Sequence, residues 1–267
     1  MSAVLKIAEP ESVDSSRASR EAAPAERFRY EFATSPAEVI ESQRLRYRVF
    51  AQELGATVQG AEQGLDRDSF DAHCWHLLVR ENATNQVVAS TRILTDDRAW
   101  RLGGFYSSRE FDLGAIAGRY GRTMEVGRTC VDARYRSGPV ITHLWQGIGE
   151  FLAEYGFDSL IGCASVEMHD GGRNLAAVMA SLEDRHLLAA SQTVKPMRSL
   201  PTLPEAAATA VLPPLLKGYL RLGARLGRVP CWDPDFVCAD FLVLLNVRDM
   251  APRYARHFLK RRSPVAA

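Results

Sequence analysis

Hydrophobic and polar positions alternate or recur at helical spacing along most of the chain. RFRYEFA, from Arg27, alternates and predicts a strand. Thr34 or Ser35 caps the helix that follows, with Pro36 in its first turn. Ile40, Tyr47 and Leu54 recur every seven residues and share one face of that helix. Residues 55–74 are polar, acidic and glycine-containing, which predicts a loop. WHLLVREN and QVVASTRIL read as two strands of a hairpin, joined at NATN, where Asn82 and Asn85 tolerate left-handed backbone. Residues 96–121 carry a mixed signal with short helices, and RTMEVGRTCV predicts another strand.

The clearest element is SGPVITHLWQGIGEFLAEYGF. Ile141, Leu144, Trp145, Ile148, Phe151 and Leu152 follow helical spacing between Pro139 and Gly156. DSLIGCASV, an apolar strand, comes directly after it, so strand, helix and strand imply a parallel crossover. A weaker helix spans about 174–188, and 192–210 reads as a loop or insertion. PPLLKGYLRLGARLG predicts a helix, FVCADFLVLLNV a strand and PRYARHFLKRR a short basic helix. Residues 1–26 read as a flexible lead-in and 27–267 as a single domain. The order of elements predicts an α/β fold: a mixed sheet with helices on both faces.

Composition narrows this little. The chain has 267 residues, 46% hydrophobic and 24% charged, as soluble globular proteins do. A net charge of +1 names no partner. Five scattered cysteines, none in a CxxC pair, predict buried reduced thiols. No apolar run reaches bilayer-spanning length, and the first residues lack the apolar core of a secretory signal. A cytoplasmic protein is expected, with peripheral membrane contact compatible.

Three clusters carry candidate chemistry: RYRVF with Arg46 and Phe50; the acidic loop LDRDSFD with Asp66, Asp68 and Asp71; and MEVGR with Glu125 and Arg128, backed by Arg92 on the hairpin. Each has an ordinary reading as a solvated helix face, a surface loop or a paired strand residue. On a regular strand, moreover, Glu125 and Arg128 point to opposite faces. DRDSFD lacks the glycine and closing glutamate of an EF-hand, and His73, Cys74 and His76 do not fit a zinc spacing, so no metal is expected. The acidic loop suits a cationic acceptor; it equally suits helix capping or pairing with Arg46 and Arg48. A base is needed wherever an ammonium must lose its proton before attack. Glu125, in an apolar strand that raises its pKa, fits that role; pairing with Arg92 or Arg128 is the alternative.

Together the clusters resemble those of acyl-homoserine-lactone autoinducer synthases. Arg46 with Phe50, Asp68 with Asp71, Arg92, and Glu125 with Arg128 stand in that family's order. The chain is still more similar to the ornithine N-acyltransferases of ornithine-lipid synthesis. LRYRVF, the DRDSFD loop, HLLV, GFYS, EFDL, MEVGR, GCAS and LPPLLKGYLRLGA carry that resemblance from Arg44 to Phe258. It implies the GNAT acyltransferase fold, which the element order also matches. It implies transfer of a long, 3-hydroxylated acyl chain from acyl carrier protein to ornithine, with Glu125 and Arg128 catalytic and Arg46, Phe50, Asp68, Asp71 and Arg92 at the substrate. The acyl thioester is then a co-substrate and no cofactor is expected. The oxyanion donor is expected at Gly127 to Cys130, beside a splayed strand; Cys130 as an acyl carrier has no support.

The donor is a separate question. Coenzyme-A-dependent members of the superfamily cradle a pyrophosphate at the start of the long helix. Here Pro139 follows Gly138 and removes one N–H. That favours a carrier protein. Lys217, Arg221, Arg225 and Arg228 form a helical basic stripe for such an acidic partner, and Arg253, Arg256, Lys260, Arg261 and Arg262 a second patch. An anionic membrane surface is an alternative target, as is plain solvation. Nucleic acid is not expected, because no recognition motif accompanies the charge. Glycine or another amine as acceptor, an autoinducer synthase and a non-catalytic carrier-binding protein stay open as other readings.

Overall fold

The computed structural model describes residues 26–136 and 139–258. The elements run β1 (Phe28–Phe32), α1 (Pro36–Arg46), β2 (Trp75–Glu81), β3 (Val87–Thr95), α2 (Asp96–Arg101) and β4 (Phe111–Asp112). They continue with β5 (Thr123–Val131), α3 (Pro139–Glu154), β6 (Ser159–Glu167), α4 (Arg173–Ser181) and β7 (Lys195–Pro196). The last are α5 (Pro214–Leu222), β8 (Arg225–Leu226), β9 (Cys231–Asp233), β10 (Cys238–Asn246) and α6 (Pro252–Phe258).

The main sheet has the order β1-β2-β3-β5-β6-β10-β8, with β9 also on β10. Its pairs are antiparallel except β5 and β6, which α3 connects in parallel. The expected mixed sheet and the crossover are therefore present. Alternation buries both faces. Leu77 and Val79 join the core with Leu144, Ile148 and Phe151 of α3, while Leu78 joins Leu45 and Val49 on the other side. In β10, Phe241, Val243 and Leu245 face the first of these cores; Leu242 and Leu244 pack with Phe111, Leu188 and Val194. Gly147 lets α3 lie close on the sheet: a Cβ there would meet Leu77 Cδ1 at 2.7 Å.

Ser35 caps α1 through a capping box with Glu38. The helix differs from its predicted apolar face. Ile40 is exposed, and the buried positions are Ser42, Gln43, Leu45 and Arg46. From Tyr47 to Glu53 the backbone continues as π-helix. The polar face is buried because the acidic loop supplies its partners. α5 is shorter than predicted. It stops at Leu222, where Gly223 takes φ +99° and ends the helix. Arg225 consequently lies on β8, outside any helical stripe with Lys217 and Arg221. Arg228 donates to the Leu188 carbonyl and pairs with Asp184. The five cysteines are free. The predicted lead-in up to residue 25, Gly138 of the phosphate-loop reading, and Lys260, Arg261 and Arg262 of the second basic patch lie outside the described residues.

Candidate active site

Strands β5 and β6 pair at Thr123 with Ser159, Met124 with Leu160 and Glu125 with Ile161, and then part. β5 continues to Val131 along β3, and β6 to Glu167 along β10. A cavity of about 100 Å³, open to solvent on one side, lies in this gap. Val126 to Thr129 of β5 and Cys163 and Ser165 of β6 form its strand walls. Phe50, Phe70, Leu94, Leu215 and Phe236 give it an apolar surface. Gly162 stands at the fork, where a Cβ would come within 2.4 Å of the Val126 carbonyl oxygen.

Glu125 is the last paired residue of β5 before the fork. It lines the cavity and is 4% exposed. Neither Arg92 nor Arg128 forms an ion pair with it among the described residues. Its Oε2 accepts from the Tyr106 amide at 2.6 Å, and Oε1 from the Ser107 amide at 2.7 Å and the Ser107 hydroxyl at 2.5 Å. It thus caps the turn Tyr106–Arg109. Burial pushes its carboxyl above the ordinary glutamate value, against the lowering pull of these hydrogen bonds. One lone-pair direction of Oε2 remains for a further proton donor.

Arg128 does not obey strand alternation. Ser90 pairs with Cys130 but Arg92 pairs with Gly127, so β5 holds one extra residue in a bulge. Arg128 takes φ +51° there, which brings its side chain to the same cavity as Glu125. The opposite-face expectation is thereby corrected. The guanidinium lies between two rings, 4.9 Å from Tyr106 and 4.8 Å from Phe236. Its Nε is 3.5 Å from Asp66 and its Nη2 3.7 Å from Asp68; Nε makes no hydrogen bond. Donors are thus left for an anionic group of a substrate.

The acidic loop turns inward onto arginines. Arg46, 1% exposed, donates to Asp66 Oδ2 at 2.8 Å, to the Asp66 carbonyl at 2.6 Å, and to both oxygens of Asp71 at 2.7 and 2.9 Å. Arg92 bridges Asp68 at 2.7 Å and Asp71 at 3.0 Å. Burial alone would raise the Asp71 carboxyl, but Arg46 and Arg92 outweigh it and hold it well below the usual carboxylate range. Asp68 is likewise lowered, by Arg92 and Arg128 against burial. Arg46 and Asp71 are spent on each other and do not line the cavity. Arg92 and Phe50 do, and Asp68 lines an adjoining pocket with Arg67, Arg109 and Arg198. Arg48 is exposed. His76 Nε2 lies 2.9 Å from the Asp71 carbonyl, a structural placement. Burial pushes the Cys130 thiol up to about 12, which suits packing rather than acyl carriage.

A second acidic group lies in the cavity: Glu110, Asp233 and Asp240. Sequence reading missed it. The three residues stand on the turn after Tyr106, on β9 and on β10, and no spacing links them; the EFDL wording at Glu110 was the one trace. Asp233, Cys238 and Asp240 each offer a ligand atom within 4.8 Å of the others, so a cation of some kind could sit among them.

Comparison with known proteins agrees with this geometry. Residues 45–146 match the family model described as "Acetyltransferase (GNAT) domain". An L-ornithine N(alpha)-acyltransferase of Rhizobium meliloti (strain 1021) is 36% identical over 85% of this chain and 82% of its own length. The enzyme of the same name from Brucella abortus (strain 2308) is 33% identical over 85% of this chain and 86% of its own. Among solved structures, the N-acyl amino acid synthase FeeM from uncultured soil microbes has a TM-score of 0.50 at 12% identity, covering 84% of this chain and 92% of that one. The acyl-homoserine-lactone synthase LasI also scores 0.50 at 12% identity, covering 88% and 98%. These two likenesses show the fold. The expected acyltransferase architecture is therefore present, and the chain belongs to the L-ornithine N(alpha)-acyltransferase family.

Proposed function

We propose that this protein transfers a long 3-hydroxyacyl group from an acyl carrier protein thioester to the α-amine of L-ornithine, giving a lyso-ornithine lipid. The observation that carries the reading is the fork between β5 and β6, with Glu125 at its closed end and a cavity beyond that is apolar along Phe50, Phe70, Leu94, Leu215 and Phe236. The thioester enters the fork and its acyl chain lies along Phe50, Leu94, Leu215 and Phe236. The acceptor ammonium gives one proton to Oε2 of Glu125. The free amine attacks the thioester carbon, the carbonyl π pair moves to oxygen, and backbone N–H groups of β5 facing the gap stabilise that charge. On collapse the C–S bond breaks, and the thiolate takes the proton released by the new amide nitrogen. Arg128 holds the acceptor carboxylate. Arg46, Asp66 and Asp71 keep the Arg92 and Arg128 side chains in place rather than touching substrate.

The carrier-bound thioester is a co-substrate, so the reaction calls for no resident cofactor. Leu215 of α5 lines the cavity while Lys217 and Arg221 of the same helix are exposed. This supports docking of an acidic carrier beside the opening. Arg225, exposed on β8, extends that surface by a different route from the predicted stripe. Among the described residues no helix is long and apolar enough to cross a membrane. The reading places the reaction in the cytoplasm, with Arg253 and Arg256 of α6 available to an anionic bilayer surface.

Mass spectrometry of products tests this. The protein would receive 3-hydroxyacyl carrier protein or acetyl-coenzyme A, each with ornithine, lysine and glycine. N-acyl ornithine formed from the carrier-bound donor is expected. Product from acetyl-coenzyme A alone would overturn the donor, and a lactone formed with S-adenosylmethionine would overturn the acceptor.

A further inference from the structure

Glu110 has no part in the chemistry above, yet it is the most anomalous side chain of the cavity. It is 1% exposed, and neither carboxylate oxygen has a hydrogen-bond partner of normal geometry; its polar neighbours are the Asp240 carboxyl and the Cys163 thiol. It faces the Asp240 carboxyl, which is also buried. The groups that do bond to Asp240 are neutral: the Ser165 hydroxyl at 2.5 Å and the Cys238 thiol at 3.8 Å. Asp233, beside them, accepts from the amides of Asp235 and Phe236. With both carboxyls charged and no cation between them such a pair is costly, so in the free protein it shares a proton that a bound cation displaces. Such an arrangement is retained where a ligand completes it.

The place of the pair indicates the ligand. Ser107 Oγ donates to Glu125 and lies 3.5 Å from Cys163 Sγ, and that thiol adjoins Glu110. Glu125 and the Glu110–Asp240 pair therefore stand at two ends of one short polar row across the cavity. Arg128 offers its donors on the same wall. A diamino acid presents matching groups: a carboxylate and an amine at one end, and an ammonium with three N–H donors a few bonds away.

We propose that Glu110 and Asp240, with Asp233 beside them, form the subsite for the side-chain ammonium of the acceptor and so select a diamino acid over its mono-amino counterpart. The inference rests on the acyltransfer reading for its place in the reaction, but it is tested separately. Rates with ornithine and with 2-aminopentanoate, which lacks the distal amine, are compared for the parent, Glu110→Gln and Asp240→Asn. The parent should prefer ornithine by roughly 100-fold or more in kcat/KM, as a site built around a buried polar contact rejects an analogue lacking it. Each variant should bring the preference within about tenfold through a higher KM for ornithine. Turnover of 2-aminopentanoate should persist, which also shows that the variant folds.

A parent indifferent to the distal amine would overturn the subsite, as would a variant that keeps the preference or loses both acceptors equally. Calorimetry of ornithine and 2-aminopentanoate on the parent without donor supplies a readout independent of turnover. If nothing is acylated but ornithine alone binds, the acyltransfer reading fails and the subsite stands. Metal analysis covers the remaining occupant. A stoichiometric ion that Asp240→Asn removes, with a preference abolished by chelator, would overturn the assignment in favour of a metal centre.

Discussion

Glu125, the base of the proposed transfer, shows how environment tunes a carboxylate. Its carboxylate is held by two backbone amides and a hydroxyl, and burial raises its pKa above the ordinary glutamate value against the lowering pull of those bonds. Glu125→Gln keeps the size and removes the proton acceptor. Its kcat should fall by about 10²- to 10⁴-fold with ornithine binding by calorimetry nearly unchanged. This residue was legible in the sequence through MEVGR. The bulge that turns Arg128 toward it was not, because nothing in a nine-residue strand announces φ +51° at an arginine. Likewise the sequence offered pairing of the acidic loop with Arg46 and Arg48 as one of several readings, and the fold of the loop back onto α1 selects Arg46.

At the level of elements, the hydrophobic pattern placed the hairpin, the long helix and the strands around it correctly, because each has one dominant period. It failed where the reason for burial is polar or where a single residue ends the element. α1 buries Gln43 and Arg46 against the acidic loop, and an apolar count cannot see that. In α5 the apolar positions continue past Gly223, but the glycine takes the left-handed conformation and the chain leaves as a strand. The fork between β5 and β6 depends on a similar single-residue feature. At Gly162 a side chain would strike the Val126 carbonyl, a backbone atom that cannot rotate aside. Gly162→Ala should cost about 1–3 kcal/mol in urea unfolding and lower acyl transfer further by shifting the cavity wall.

Across the whole molecule, the cavity draws on distant segments: the turn after α2, the β5 bulge, and the β9–β10 hairpin. The acidic group at its floor has a cost that varies with pH. Burial and the facing Asp240 charge push Glu110 up to about 9, well above the unfolded value. A carboxyl whose folded pKa is raised contributes its stability fully below about 4.3 and loses it as pH climbs toward that raised value. Removing the carboxyl by Glu110→Gln should therefore stabilise the free protein progressively from pH 5 to pH 8, by at most about 1.4 kcal/mol per pH unit. Thermal melts at several pH values check the sign; a variant whose advantage shrinks as pH rises would contradict it.

The fork has a mechanical side as well. Three rungs of hydrogen bonding join β5 to β6, whereas β6 and β10 share nine paired positions. α3 rests on β1, β2 and β3, while α4 and α5 rest on β6 and β10. The sheet is thus two plates meeting at a narrow seam, with α6 lying back against α3. With the fewest shared backbone hydrogen bonds, the seam is where the sheet offers least resistance to bending. In the proposed reaction the angle between the plates sets the width of the slot for the acyl chain, so substitutions under α6, far from any reacting atom, are expected to change which chains fit.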